Sequence, residues 1–156
     1  MQNITIMTNS TTTGQPITMI TANEITEFVK KNTGLENISD DTDIFYIGIV
    51  GDDFHELIKK FAKTYSVDMT NYLWYFHADE EGVRSSIGGF FFASPYKRVK
   101  HIPVTPLLLN EFANRKKWNI EYPKHQIQKK RYDLFINTII VATAIVLFIV
   151  VALKEC

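Results

Sequence analysis

The chain has 156 residues, 46% of them hydrophobic, with 17 basic and 17 acidic side chains and a formal net charge of zero. That length suits one small domain with appendages. The single cysteine, Cys156, excludes an intrachain disulfide and a cysteine-built zinc site. The zero balance hides a segregation. Residues 22–81 carry 13 acids and 5 bases, a net of −8, whereas residues 82–133 carry 11 bases and 3 acids, a net of +8.

Residues 1–16 are rich in Thr, Asn and Ser and read as a disordered N-terminus. They lack the basic start and long apolar core of a signal peptide. Residues 17–119 then read as one cytoplasmic domain. Its first helix runs over 21–34. Thr21 caps it, Glu24 completes a capping box, and Ile25, Phe28, Val29 and Asn32 fall along one face. Gly34 stops it. A long acidic loop follows, over 35–52, with Ile44, Phe45, Ile47 and Ile49 turned inward. The second helix runs from about Asp52 to Tyr65. Phe54, Leu57, Ile58, Phe61, Ala62 and Tyr65 recur at helical spacing. Asp52 or Asp53 is expected to cap its start, where unsatisfied amides and the positive end of the dipole favour an anion.

The aromatic stretch with Tyr72, Trp74, Tyr75 and Phe76 predicts a short helix or turn closing the core. Phe90–Phe92 and Val99–Val104 predict a short two-stranded insertion with Pro95 in its turn. Thr105 and Pro106 form an N-cap and a first-turn proline for a last domain helix reaching about Lys117. Leu108, Leu109, Phe112 and Trp118 are its inward residues. Residues 120–133 read as a basic juxtamembrane linker. Residues 134–153 contain no charged side chain, and about 20 such residues span roughly 30 Å as a helix, the thickness of a bilayer's hydrocarbon core. The fold class expected is therefore mainly α: a small helical bundle with a strand insertion, then one C-terminal transmembrane helix. Asn137 is the strongly polar side chain within that run. Ala142, Thr143 and Ala144 are small enough for close helix contact, although no GxxxG is present.

Lys124, Lys129, Lys130 and Arg131 precede the apolar run, and the positive-inside rule puts that flank in the cytoplasm. The expected arrangement is single-pass and tail-anchored, with the membrane lipid bilayer as one partner. Anionic headgroups favour each nearby Lys or Arg by about 1 kcal/mol. The position of these bases beside the span favours lipid over nucleic acid, so no nucleic-acid partner is expected.

Candidate chemistry is sparse. Gly51-Asp52-Asp53 resembles the metal-holding triplet of some polymerases, but that triplet sits in a hairpin and this one opens a helix. The four histidines, at 55, 77, 101 and 125, show neither HxxxH nor HExxH spacing, so no metal site is expected. They read as surface or partly buried residues. There is no GxSxG, and Gly88-Gly89 leads into aromatics rather than the Lys-Ser/Thr of a phosphate loop. No cofactor and no enzymatic activity are expected.

The order of elements resembles an acyl carrier protein. A helix is followed by a long acidic loop, Ile47-Gly48, and a helix that opens with acids and continues Glu56-Leu57. In that family a serine at the start of the second helix carries a phosphopantetheine arm. Aligning Ile47-Gly48 and Glu56-Leu57 puts Gly51 at that position, and glycine offers no oxygen to modify. A nearer resemblance is to a bacterial carrier-like family, the domain-of-unknown-function family numbered fourteen ninety-three. It rests on Gly51, Asp52, Asp53, Glu56 and Leu57, on Phe61, Tyr65, Val67 and Asp68, and on Ile102 to Thr105 with Trp118. In carriers the acidic face of helix two is what partners recognise, so the resemblance implies that Asp52, Asp53 and Glu56 bind a protein partner with a basic surface; the apolar run lies outside the matched residues and adds the expectation of an inner-membrane anchor. Two other roles stay open beside that adaptor. One is a carrier of lipid metabolism modified at an unusual residue. The other is a regulatory or immunity protein for a membrane partner.

Overall fold

In the computed structural model, residues 19–80, 86–127 and 130–155 are described. The disorder expected for 1–16 lies outside them. Five α-helices follow one another: α1 (Ala22–Thr33), α2 (Gly51–Tyr65), α3 (Ile87–Phe91), α4 (Pro106–Arg115) and α5 (Tyr132–Glu155). Short 3-10 turns lie at Trp74–Phe76 and Pro95–Arg98.

Local signals set the ends of α1 and α4. Thr21 Oγ1 accepts from Glu24 N–H at 3.2 Å, and Gly34, at φ +73°, closes α1 by donating its N–H to Lys30 O. Thr105 Oγ1 accepts from Leu108 N–H at 3.2 Å, ahead of Pro106 in the first turn. Ser66 and Lys116 end α2 and α4 in left-handed conformations that L-residues seldom adopt. The strain is offset by pairing between the two chain exits. Asp68 N–H donates to Lys116 O at 3.0 Å, and Trp118 N–H donates to Asp68 O at 2.9 Å.

The core lies between α1, α2 and α4. Ile25 and Val29 meet Phe54, Leu57, Ile58 and Phe61 of α2, with Leu109, Phe112 and Trp118 closing the other side. A buried Phe such as Phe61 stabilises its domain by about 3–5 kcal/mol relative to Ala. The first-helix stripe is as expected: Ile25 and Val29 are buried, Phe28 and Asn32 half-buried. The loop before α2 is fastened to the chain leading into α4 and to the first turn of α4. Ile44 N–H donates to Val104 O at 3.0 Å, and Leu107 N–H donates to Asp40 O at 2.8 Å.

The two-stranded insertion does not form. Among the described residues there is no strand, only an isolated parallel bridge between Asp68 and Lys117. Phe90 and Phe91 belong to α3, which Ser86 caps by accepting from Gly89 N–H at 3.0 Å. Residues 99–104 form no regular element, and their hydrogen bonds go to different neighbours. Ile102 N–H reaches Phe76 O and Val104 O receives Ile44 N–H, so no ladder builds.

α5 is long and apolar enough to cross a membrane, and none of its apolar window is buried inside the protein. Its start is held by α3, which packs along its first turns.

Candidate functional site

α2 opens at Gly51, so Asp52 and Asp53 lie inside its first turn rather than before it. The N-cap position is Val50, which has no side-chain acceptor to offer. The expected capping by Asp52 or Asp53 is therefore replaced. Asp79, buried and 28 residues along the chain, brings its Oδ1 to Gly51 N–H at 3.1 Å. It places a carboxylate at the positive end of the helix dipole. Asp52 and Asp53 are exposed, as is Glu56 one turn on. Glu56 pairs with Lys60 at 3.0 Å. Asp53 and Glu56 also line a cleft of about 180 Å³ between the end of α1 and α2, with Asn32, Thr33 and Lys60 on its other walls. The structure thus leaves all three sequence-derived acids on solvent and brings Asp53 and Glu56 to one cleft, which Asp52 does not line. Gly51 is buried, and its N–H is taken up by Asp79.

Among the described residues, no three His, Cys, Asp or Glu side chains converge as a metal ion would require. Half-buried His101 meets Asp43 at 2.7 Å. His77 departs from expectation, because it is fully buried. Ile102 O can only accept, so His77 Nδ1, at 2.8 Å, carries the proton. Nε2 is then an acceptor, and Tyr122 donates its hydroxyl proton to it at 2.9 Å. The same hydroxyl oxygen accepts from Trp118 Nε1–H at 2.9 Å and from Leu73 N–H at 3.1 Å. Both imidazole nitrogens of His77 and the Tyr122 hydroxyl are bonded, whereas the buried hydroxyl of Tyr72, stacked on His77, has no partner among the described residues, and burial pushes the His77 imidazole down to about 4. The arrangement ties Tyr122, and with it the chain leading to α5, onto the domain. Sequence reasoning missed it because Leu73, His77, Ile102 and Tyr122 meet only in the fold.

The basic flank is divided. Lys124 and Lys130 are exposed, and Lys129 lies outside the described residues. Arg131 is not a free lipid-facing cation. Its Nη1 and Nη2 grip both oxygens of Glu80 at 3.0 and 2.7 Å, while Nε and Nη2 reach Asp133 at 2.9 and 2.7 Å. This planar fork ties the domain to the first turn of α5. The Arg-Tyr-Asp triplet before the apolar run was the visible sign of half of it. Glu80, 51 residues upstream, was not.

Compared with known protein families, with curated proteins and with solved structures, the chain finds no match.

Proposed function

We propose that this chain is a membrane-anchored adaptor without enzymatic activity, whose helical, acyl-carrier-like domain docks a basic protein partner through Asp52, Asp53 and Glu56. In this reading α5 crosses the bacterial inner membrane once and the domain stands on the cytoplasmic side. The observation that carries it is the exposure of three acids at the start of α2 when that helix needs none of them as its cap. Asp79 does the structural work, so the exposed acids are available to a partner. The apolar α5 and the exposed Lys124 and Lys130 at its base support attachment to a bilayer.

The test is a crosslinking pull-down from native membranes, with wild type beside Asp52→Lys/Asp53→Lys. The reading predicts a partner captured by wild type and lost from the charge-reversed protein, with the variant still in the membrane. An identical set of captured proteins would defeat it. Orientation is checked by adding protease to sealed inside-out vesicles, which should digest the domain.

A further inference from the structure

α3 is built inside out for an element that faces water. Its polar contacts point inward, to α5. Gly88 N–H donates to Asn137 Oδ1 at 2.7 Å, so the amide side chain within the apolar run is answered by a backbone group of α3. The approach is as close as two helices allow. A Cβ on Gly88 would collide with the Asp133 carbonyl and lie 2.8 Å from Asn137 Oδ1. Asp133, only 3% exposed, is enclosed at the same contact. The outward side of α3 is instead apolar: Ile87 is 54% exposed, Phe91 65% and Phe90 84%.

The depth of this apolar surface follows from the helix rise. Asn137 lies five residues beyond Tyr132, or about 7–8 Å along the axis. α3 therefore stands beside the first turns of α5, where the water-exposed chain gives way to the uncharged run. Around that base lie cations and aromatics. Exposed Lys130 lines a groove of about 350 Å³ with Tyr132 and Phe135, beside Arg131, whose own charge is taken up by Glu80 and Asp133, and Arg98 lies in a smaller cleft next to them. Aromatic side chains at the headgroup level with Lys and Arg beside them are the chemistry of a membrane interface.

We propose that α3 is a second membrane contact: Ile87, Phe90 and Phe91 sit in the headgroup–acyl boundary of an anionic phospholipid bilayer, beside the point where α5 enters. The inference rests on α5 spanning that bilayer, and goes beyond it. A single span leaves a domain free to swivel above the membrane. A second, short apolar foot fastened to the span at Asn137 and Asp133 fixes which face of the domain looks away from lipid.

The experiment uses the full chain with Cys156→Ser, reconstituted into phosphatidylethanolamine–phosphatidylglycerol vesicles. An environment-sensitive nitrobenzoxadiazole label is placed through Phe90→Cys, through Tyr46→Cys as an exposed control, and through Leu147→Cys within α5. The label at 90 should lose most of its emission to a phospholipid with a doxyl group near its headgroup, and little to aqueous iodide. The label at 46 should do the reverse, and that at 147 should respond to a doxyl group deep in the acyl chain. A label at 147 untouched by the deep quencher would overturn the span and α3's role together. A responsive 147 with an iodide-accessible 90 would overturn the α3 contact alone. A label at 90 shielded from iodide but blind to doxyl lipid would also overturn it, because a second protein surface would then be the cover.

Discussion

Tyr122 is the residue on which the polar interior depends. Its hydroxyl gives one hydrogen bond and takes two, so Tyr122→Phe would leave Leu73 N–H, Trp118 Nε1–H and His77 Nε2 without this partner. Each buried unsatisfied group costs about 1–3 kcal/mol, and partial relaxation leaves an expected loss of about 2 kcal/mol or more, read from the urea midpoint of the detergent-solubilised protein. His77 adds a pH dependence whose sign is fixed. The unfolded imidazole takes a proton near its ordinary 6.5, while the folded one refuses it until about 4. Stability is thus independent of this group above pH 6.5 and falls as pH drops from 6.5 to 4, by at most about 3 kcal/mol. His77→Gln should flatten that window in a series of denaturation curves. None of this was visible along the chain. A histidine amid aromatics looks the same whether it is exposed or sealed, and its partners are 25 and 45 residues away.

The elements were legible where their signals are local. Thr21, Gly34, Thr105 and Pro106 act on backbone groups within four residues, and the stripe from Phe54 to Tyr65 needs only its own periodicity. The start of α2 and the whole of α3 were misread, because residues far along the chain decide both. Asp79→Ala should therefore destabilise the domain by about 1–2 kcal/mol, whereas Asp52→Ala should stay within about 0.5 kcal/mol. Thermal unfolding of the two variants, side by side, separates the observed cap from the expected one. Phe90 to Phe92 looked like a strand by composition, yet Gly88 admits a close contact with α5 that draws residues 87–91 against it as a helical turn. Gly88→Ala should force α3 away from α5 and raise amide hydrogen exchange across Ile87–Phe91, leaving α1 and α2 unchanged.

At the scale of the molecule, the acidic start of α2 and the base of the apolar helix are tied through two adjacent residues: Asp79 holds Gly51 and Glu80 holds Arg131. The acids of α2 face solvent, the core fills the middle, and Arg131 clamps Glu80 to Asp133 where the apolar helix begins. Such a build suits a domain held in a set orientation, with the acidic start of α2 close to the membrane-side end of the domain. The composition already showed the two charged halves and the apolar run. It did not show that Arg131 is spent on holding the halves together, since that fork depends on a residue from the acidic half. The most direct test of the account is site-specific photocrosslinking in intact cells. A photoreactive amino acid is placed at position 53, and in a separate protein at position 63 near the far end of α2. The account predicts a discrete adduct from position 53 that position 63 does not give and that Asp52→Lys abolishes. No adduct from position 53, or the same adducts from both positions, would contradict docking through the acidic start of α2.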